Sequence, residues 1–344
     1  KCGSVSMNIM ITGGAGGIGS TLALLLTRNG HTVVAVDNFN NGYMENLYEN
    51  GQQICDIAPL DIRETQKLTE LLEFNKTEII IHLAALTSLP ICESDPTECI
   101  DVNVAGTASV LTAARLSNVK RTIVASTSAI YENTPVKYAP FKEKDPVTPR
   151  LFYPLSKKLM EDVVQSYIIN YGMDIVTLRF FNVFGPRQDI HRQSPPLINY
   201  IVREVANNRP LKFFSDGSQV RDYVHVDDVV SMIEKCIQVE DIAGETFNVC
   251  TATLTSVKNI INFAEKAFNK KLDYTFNPPN KFWADYDVIY EGKPLLNNVI
   301  EREVTKFSLG SVSKSAKLLN WHPNTKIEEL MIDTMRKNYE LITR

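Results

Sequence analysis

The sequence predicts an α/β fold, a Rossmann-type doubly wound parallel sheet followed by a smaller mixed α/β C-terminal lobe. Three observations lead to this prediction. Short apolar runs alternate with longer amphipathic stretches in the first half of the chain, as they do in repeated strand and helix units. The apolar runs are continuous, which is typical of parallel strands covered on both faces. Glycines crowd the junction between the first run and the first helical stretch, with five of them within residues 13–19.

The predicted elements follow in chain order. The strands read NIMITG, TVVAVD, EIIIHLAA, RTIVAST and DIVTLRFFN and begin at residues 8, 32, 78, 121 and 174. The helices between them read STLALLLTRNG, TQKLTELLEFN, DPTECIDVNVAGTASVLTAARLSN and SKKLMEDVVQSYIINYG, with apolar residues at helical spacing. Further helices are predicted over residues 195–208 and 256–269, and a pair joined by a turn at Pro323 over residues 311–342.

The pattern loosens after residue 186 into short strands and loops. A chain of 344 residues also exceeds the usual size of a single hydrophobic core. We therefore predict two domains, residues 1–186 and 187–344, with about 223–250 packing back on the first. Residues 1–6, KCGSVS, are expected to be an added extension outside the fold.

Composition limits the partners of this chain. The net charge is −4 and the lysines and arginines are scattered, which argues against nucleic acid as a partner. The six cysteines form no CxxC pair and the five histidines no ligand-spaced pair, so neither a disulfide framework nor a metal site is indicated. No apolar run is long enough to span a membrane, and the N-terminus lacks a secretion signal. We expect a cytoplasmic enzyme that acts on a small molecule.

The glycine cluster has the spacing and context of a phosphate-binding turn. Gly13, Gly16 and Gly19 form GxxGxxG between a predicted strand and a predicted helix. Glycines there permit a tight turn and let main-chain N–H groups approach a pyrophosphate at the helix N-terminus. Asp37, at the end of the second strand, can accept both hydroxyls of an adenosine ribose and would repel a 2′-phosphate. The cluster predicts NAD rather than NADP; a glycine-rich turn without a ligand is the alternative.

A tyrosine and a lysine stand four residues apart in FYPLSKK. If this segment is helical, Tyr153 and Lys157 share one face, one crossover after the strand RTIVAST. A nearby ammonium can lower the pKa of a phenol from near 10 by about 1–3, so this tyrosine could take a proton from a sugar hydroxyl. A second pair at the same spacing, Tyr138 and Lys142, flanks Pro140 in a loop-like stretch, and we interpret it as accidental.

The strand RTIVAST leads into three hydroxyl side chains. Ser126, Thr127 or Ser128 could hydrogen-bond the same sugar hydroxyl, but only alternate residues of a strand face one side. Taken alone, Tyr153 and Lys157 are more often a solvated helix pair. Their combination with the glycine cluster and this hydroxyl strand favours an active site.

These motifs together resemble the extended short-chain dehydrogenase/reductase family, and within it the nucleotide-sugar epimerases and dehydratases. Seven segments match in order and spacing along nearly the whole chain: TGGAGGIGS, HLAAL, DVNVAGT, STSAIY, YPLSK, LRFFNVFGPRQ and DGSQVRDYVHVDDV. The resemblance implies an NAD-binding Rossmann domain over residues 1–186 and a nucleotide-sugar-binding lobe over 187–344. It also implies a homodimer through helices at about 97–118 and 154–171.

The resemblance assigns roles to single residues. Tyr153 matches the active-site tyrosine, Lys157 the lysine that holds the nicotinamide ribose, and Thr127 the family's Ser/Thr. The other implied NAD contacts are Gly13, Gly16, Gly17, Ile18, Gly19, Asp37, Asn38, Asp61, Ile62, Leu83, Ala84, Ala85, Asn103 and Phe180. The implied substrate contacts, with Thr127, are Thr87, Ser126, Asn182, Leu197, Phe213 (or its neighbour Phe214), Arg221 and Arg302.

Three of these assignments have structural alternatives. Asn182 and Arg221 match groups that hold the substrate's diphosphate, but a loop cap and a surface charge are the other readings. Asp61 follows the presumed third strand and lies either near the adenine or at a helix N-cap.

The chain departs from the family pattern in four places. Gly17 replaces the usual aromatic residue of the glycine motif and is expected to loosen the packing there. Ser128 and Ala129 stand where dehydratases and decarboxylases carry an acidic residue, which favours epimerisation. Arg302 is about two positions out of register with the family's diphosphate-binding arginine. The segment 281–300 is unusually long and aromatic, and is either a substrate-selective flap or, as we expect, a surface excursion.

The implied reaction is NAD-dependent epimerisation at C4 of a UDP-hexose, such as UDP-glucose, a UDP-N-acetylhexosamine or a UDP-uronate. Tyr153 would remove the proton of the C4 hydroxyl while the C4 hydride passes to NAD and returns to the other face of the 4-keto sugar. A nucleotide-sugar 4,6-dehydratase or a UDP-glucuronate decarboxylase is the first alternative. A non-catalytic dinucleotide-binding regulator is a remote one, since such a protein needs neither Tyr153 nor Lys157.

Overall fold

The computed structural model describes residues 6–134 and 139–343. Within them the strands are β1 (Asn8–Thr12), β2 (Thr32–Asp37), β3 (Tyr48–Glu49), β4 (Gln52–Gln53), β5 (Asp56–Pro59), β6 (Ile79–His82), β7 (Arg121–Thr127), β8 (Ile175–Phe180), β9 (Asn182–Phe184), β10 (Leu211–Phe214), β11 (Val220–His225), β12 (Thr246–Val249), β13 (Leu254–Ser256) and β14 (Tyr274–Asn277). The extension predicted at residues 1–6 lies outside the described residues apart from Ser6, and so does Tyr138 of the second tyrosine and lysine pair.

The helices alternate with the strands of the first half and dominate the second. They are α1 (Gly17–Arg28), α2 (Thr65–Phe74), α3 (Leu89–Ser94), α4 (Pro96–Ile100), α5 (Gly106–Leu116), α6 (Phe152–Tyr171), α7 (Leu197–Ala206), α8 (Val226–Gln238), α9 (Val257–Phe268), α10 (Asn297–Thr305), α11 (Ser313–Leu319) and α12 (Ile327–Thr343). A π-helical turn, Asp101–Ala105, joins α4 to α5, so the predicted helix over 95–118 is one helical run with a bulge. Within the described residues, no helix is long and apolar enough to cross a membrane.

A seven-stranded parallel sheet organises the molecule, in the order β5-β2-β1-β6-β7-β8-β12. The predicted fold class is confirmed. β1 pairs with β2 on one side and with β6 on the other, so the direction of winding reverses between β1 and β6. In a sheet of this kind a crevice opens at that point, beyond the carboxyl ends of the strands.

The continuous apolar strands are explained by burial on both faces of the sheet. Along β1, Ile9 and Ile11 pack into the core beneath α1 and α8, whereas Met10 points the other way and packs with Leu68 of α2. Ile9, Met10 and Ile11 are each no more than 2% exposed. A strand that must fill two cores cannot alternate polar and apolar residues.

The second half of the chain contributes to both parts of the molecule. β12 pairs in parallel with β8 at the edge of the main sheet, and α8 shares the core beneath α1. α7, α9 and α12 enclose a separate core with β10 and β11. The predicted pair of C-terminal helices is observed as α11 and α12, with Pro323 between them. The domain division at residue 186 stays a prediction.

A buried ion pair ties α6 to the sheet. Glu161 of α6 accepts hydrogen bonds from Arg179 of β8, Nη2 to Oε2 at 2.7 Å and Nε to Oε1 at 3.0 Å, and from Ser126 of β7 at 2.6 Å. Arg179 Nη1 also donates to the hydroxyl of Tyr131 at 2.8 Å. Every charge in this cluster therefore has partners that replace water.

We expect Glu161→Gln to lower the free energy of unfolding by about 3–5 kcal/mol, because it leaves the guanidinium of Arg179 buried without its countercharge. The matched control is Glu49→Gln, which breaks the exposed pair of Glu49 with Arg28 at 2.6 Å and should cost less than about 1 kcal/mol. Urea unfolding followed by circular dichroism measures both values. Equal losses in the two variants would contradict the prediction.

Candidate active site

Two neighbouring clefts open at the carboxyl edge of the main sheet. The larger cleft, about 300 Å³, is bounded by the chain that follows β1, β2, β5 and β6 and by residues 183–196. The smaller cleft, about 170 Å³, is bounded by the ends of β7 and β8 and by residues 303–308. The larger cleft therefore lies at the point where the strand order reverses.

The glycine turn forms one wall of the larger cleft, and main-chain contact explains its glycines. Gly13 has φ +69, and a Cβ there would lie 2.7 Å from the Ala84 nitrogen. A Cβ on Gly19 would overlap the carbonyl oxygen of Gly13. Gly13, Gly16, Gly17, Ile18 and Gly19 all line the cleft. The turn thus presents main chain, at the N-terminus of α1, to whatever occupies the cleft.

Gly17 does not loosen the packing, contrary to the sequence-based expectation. A Cβ on Gly17 would lie 3.1 Å from both the Arg187 carbonyl oxygen and the Gln188 Cα. The main chain of residues 187–188 therefore occupies the space that an aromatic side chain would need. Arg187 holds this crossing in place by donating to the carbonyls of Ser20 and Asn46, each at 3.3 Å.

Asp37 places a carboxylate at the end of β2, inside the larger cleft. Its oxygens accept from the main-chain N–H groups of Ala15 at 3.0 Å and Phe39 at 2.8 Å, and burial raises its pKa. Asp61 lines the same cleft, where hydrogen bonds from Arg63 hold its pKa well below its usual range. Asn38 donates to Asp61 at 3.0 Å. These carboxylates make this end of the cleft acidic.

The chain after β6 forms the opposite wall. Leu83, Ala84, Ala85 and Thr87 line the larger cleft. Asn103 lies behind this wall in the π-helical turn, buried, where its side chain bonds both the N–H and the carbonyl of Leu86 at 2.8 and 2.9 Å. The structure therefore places Asn103 as a support of the cleft wall.

Tyr153 stands at the start of α6, where it lines the smaller cleft with Thr127. The Thr127 hydroxyl lies close enough to the phenol to affect its pKa, and Thr127 Oγ1 accepts from the Ala129 N–H at 3.1 Å. Thr127 is the last residue of β7, so the end of this strand meets the first turn of α6. The predicted juxtaposition of Tyr153 and the hydroxyl strand is present in the geometry.

The expected lowering of the phenol pKa is absent. Burial raises the pKa of Tyr153 to about 12, although the neighbouring Thr127 hydroxyl acts in the other direction. Lys157 shares the helix face, but its Nζ donates to the Ala125 carbonyl at 2.9 Å. Burial also lowers the pKa of Lys157 to about 8. The ammonium is thus bound to the main chain and does not acidify the phenol in this state.

Ser126 faces away from both clefts, which corrects its predicted substrate role. Its hydroxyl donates to Glu161 at 2.6 Å in the buried cluster behind β7. Strand alternation gives the cleft to Thr127 and the interior to Ser126. His82, at the end of β6, is likewise a core residue, bonded to Thr12 Oγ1 at 2.7 Å and Thr107 Oγ1 at 2.9 Å.

Asn182 and Arg221 both line the smaller cleft with Phe180. The Asn182 amide donates to the Asp222 carbonyl at 2.9 Å. The Arg221 guanidinium donates to the main-chain carbonyls of Glu303 at 2.9 Å and Val304 at 3.0 Å and also contacts that of Lys306. Arg221 therefore binds the carboxyl end of α10 and is not a surface charge.

Three predicted substrate residues lie outside both clefts. Arg302 is on the exposed face of α10. Phe213 is 3% exposed and packs in the second core, with its ring centre 5.8 Å from that of Tyr274. Leu197 is the first residue of α7, beside Pro196, which does line the larger cleft.

Sequence reasoning missed several polar residues that the folded chain brings to the clefts. Glu132, Glu303 and Lys306 line the smaller cleft, and Gln188 and Arg192 line the larger one. The first two show that an acidic group is present in the smaller cleft even though Ser128 and Ala129 are not acidic. Except for Glu303 on α10, these residues lie outside the regular elements, where no periodic pattern indicates which way a side chain faces.

Comparison with known proteins gives consistent matches along the chain. The model of the NAD dependent epimerase/dehydratase family matches residues 9–250. A UDP-glucose 4-epimerase of Mycolicibacterium smegmatis is 35% identical over 275 residues, 79% of this chain and 86% of that protein. A UDP-N-acetyl-alpha-D-glucosaminuronate decarboxylase of Bacillus cytotoxicus is 29% identical over 95% of this chain and 96% of its own.

The solved structures that resemble this chain also include a UDP-glucose 4-epimerase. A UDP-glucose 4-epimerase of Thermotoga maritima, crystallised with UDP-glucose, superposes with a TM-score of 0.85 at 27% identity. The superposition covers 98% of this chain and 99% of that one.

We expect Gly19→Ala to lower the affinity for NAD at least about tenfold, or about 1.4 kcal/mol, because the new Cβ overlaps the Gly13 carbonyl and displaces the turn. Isothermal titration with NAD measures the change. The control is Gly30→Ala, which strains a residue at φ +88 with no heavy atom near its Cβ. It should lower stability but leave NAD affinity unchanged; equal affinities for all three proteins would refute this account of the turn.

We expect no ionisation of Tyr153 below about pH 10 in the NAD-free protein, because burial raises its pKa to about 12. The difference in tyrosinate absorbance between the wild type and Tyr153→Phe isolates this residue. In urea the same difference should titrate near 10, the ordinary value of a phenol. A Tyr153-dependent signal with a midpoint between about 6 and 9 in the folded protein would contradict the expectation.

Proposed function

This chain belongs to the NAD dependent epimerase/dehydratase family, and we propose that it is an NAD-dependent epimerase of nucleotide sugars, acting at C4 of a UDP-hexose. The observation that carries the proposal is the meeting of Tyr153 with Thr127 in the smaller cleft, next to the larger cleft with its glycine turn. The UDP-glucose 4-epimerase names of two similar proteins support the choice of reaction.

The residues of the larger cleft fit NAD. The turn from Gly13 to Gly19 leaves no room for side chains and offers main-chain N–H groups at the start of α1, as a diphosphate requires. Asp37 at the end of β2 would take the adenosine ribose, and the wall at residues 83–85 the nicotinamide half. When bound there, NAD supplies a hydride acceptor that stores the hydrogen of the sugar carbon and gives it back.

The side chains of the smaller cleft handle the sugar. Tyr153 would take the proton of the C4 hydroxyl and return it, and Thr127 would orient that hydroxyl from its place beside the phenol. Lys157 would hold the nicotinamide ribose after leaving the Ala125 carbonyl. A phenol with a pKa of about 12 becomes a base at neutral pH only when positive charge is brought close to it. The ammonium of Lys157, once released, can provide part of that charge.

We also propose that Asn182 and Arg221 bind the diphosphate of the nucleotide sugar. Both line the smaller cleft, and the Arg221 guanidinium would exchange the carbonyls of α10 for phosphate oxygens, which are stronger acceptors. We propose that residues 1–186 form the NAD-binding domain, which also contributes Tyr153, Thr127 and Asn182 to the sugar site, and that residues 187–344 form the nucleotide-sugar-binding lobe. We place the protein in the cytoplasm.

We propose a homodimer that forms through α5 and α6. These neighbouring helices expose large apolar side chains: Leu116 is 50% exposed, Leu159 is 38% and Ile169 is 76%. A second copy would cover this apolar surface.

Glu132 gives a specific reason to retain elimination or decarboxylation as the second candidate. It lines the smaller cleft, and burial raises its pKa. However, its Oε1 accepts from the Leu151 N–H at 3.1 Å and contacts the N–H of Arg150. These bonds hold the carboxylate against the loop before α6, so we rank epimerisation first.

We expect the NAD-loaded protein to give a product of unchanged mass from at least one of UDP-glucose, UDP-N-acetylglucosamine and UDP-glucuronate. Mass spectrometry separates this outcome from the loss of water or of carbon dioxide. Tyr153→Phe should bind NAD as the wild type does and should lower turnover by a factor on the order of 10² to 10⁴, the contribution typical of a general acid or base. Undiminished turnover in that variant would exclude Tyr153 from the reaction.

A further inference from the structure

Arg192 stands in the larger cleft without an ionic partner among the described residues. It lies in the segment between β9 and α7 and lines the cleft. Its Nη1 donates to Thr87 Oγ1 at 3.3 Å, and its Nε to the Ser194 carbonyl at 2.8 Å. Each of these partners is a neutral oxygen, so the guanidinium keeps its full charge and has donors to spare.

The nearest carboxylate does not neutralise Arg192 by contact. Asp189 Oδ1 accepts from the Tyr43 hydroxyl at 2.9 Å, from the His191 N–H at 2.9 Å and from the main-chain N–H of Arg192 at 3.1 Å. Its other oxygen, Oδ2, is buried with no hydrogen-bond partner. Arg192 is half-buried, and a cation that is partly withdrawn from water without a paired anion is costly. The described residues supply no anion for Arg192. An anionic group of a ligand in the cleft can therefore pair with it.

The position of Arg192 distinguishes among the anions of the ligands. The diphosphate of NAD belongs at the start of α1, where the main chain of residues 187–188, and not the Arg192 side chain, lies against Gly17. The diphosphate of the nucleotide sugar belongs with Asn182 and Arg221 in the smaller cleft, which Arg192 does not line. Neither diphosphate is a natural partner for this guanidinium.

The third location is the reacting end of the sugar ring, which must face the nicotinamide and therefore lies where the smaller cleft meets the larger one. Arg192 contacts Thr87, at the wall that follows β6, and its charge acts on the phenol of Tyr153. Tyr153 marks the reacting end of the proposed site. A guanidinium presents parallel N–H groups that match the two oxygens of a carboxylate.

We propose that Arg192 selects nucleotide sugars that carry a carboxylate on the hexose, so that the substrates are UDP-hexuronic acids. This inference rests on the proposed function and narrows it. The Arg192 guanidinium would hold the C6 carboxylate, and Thr87 would hold the guanidinium in that orientation.

The test compares UDP-glucuronate with UDP-glucose in the wild type and in Arg192→Gln. The wild type should prefer UDP-glucuronate, and the variant should lower the ratio of the two kcat/KM values by about 10- to 100-fold, the size of a hydrogen bond to a charged group. Arg192→Lys keeps the charge without the forked geometry. Its ratio of the two kcat/KM values should lie between those of the wild type and of Arg192→Gln. Isothermal titration of the two sugars into NAD-loaded Tyr153→Phe, with and without Arg192→Gln, measures the same preference as binding alone.

Arg187→Gln is the matched control, because Arg187 is a nearby cation that binds main-chain carbonyls. It should change the constants for both sugars by the same factor. The inference is overturned if the wild type prefers UDP-glucose, if Arg192→Gln affects both sugars equally, or if its main effect is on the affinity for NAD or for UDP. A protein that binds UDP-glucuronate through Arg192 but converts neither sugar would sustain the inference and refute the proposed epimerase.

Discussion

The buried pair of Glu161 and Arg179 fixes the element on which the candidate site depends. Glu161 lies two turns along α6 from Tyr153, and Arg179 is the residue before Phe180 at the end of β8. Ser126, the residue before Thr127, joins the same cluster from β7. Because side chains alternate along a strand, anchoring Ser126 on the inner side turns Thr127 outward. This one ionic cluster therefore fixes the position and orientation of α6 relative to the ends of β7 and β8. The meeting of Tyr153 with Thr127 follows from that placement.

Most of the charged side chains in and beside the two clefts are held by uncharged partners. Asp37 and Asp61 make one end of the larger cleft acidic, and Arg192 makes the other end basic. Lys157 is buried on the same helix as Tyr153, with its ammonium on the Ala125 carbonyl. Each of these groups is held by main-chain or neutral partners, or, for Asp61, by Arg63. A charged ligand could therefore replace these partners without breaking a strong internal ion pair. The exception is Asp61, which is paired with Arg63.

Much of the fold could be predicted because strands buried on two faces appear as continuous apolar runs in a sequence, and amphipathic helices appear as apolar residues at helical spacing. The strand at residues 8–12, the glycine turn and the placing of Tyr153 and Lys157 on one helix all come from such marks. The consequences of close packing could not be predicted. Gly17 was expected to loosen its surroundings, but a main-chain segment about 170 residues away fills the space. The pKa of Tyr153 depends on how deeply the phenol is buried and on the carbonyl that Lys157 meets, and neither is encoded in their spacing.

The second half of the chain was harder to predict for a related reason. Arg221 and Asn182 lie on strands, and their neighbourhood was correctly singled out, whereas Arg302 and Phe213 point elsewhere. Arg302 lies in the last turn of α10 and Lys306 directly follows that helix, and only the tertiary packing decides which of them reaches the smaller cleft. Arg192 and Glu132 belong to loops, whose side chains have no period from which a direction can be deduced.

The crossing of residues 187–188 over Gly17 has a kinetic consequence. A dinucleotide seated on the glycine turn would lie beside a contact between two stretches of backbone from opposite halves of the chain, which the Arg187 bonds to Ser20 and Asn46 fasten. The two halves cannot move apart at this edge of the cleft unless those bonds open. Such a molecule is built to keep its coenzyme through many reaction cycles, which suits a reaction that leaves the coenzyme unchanged.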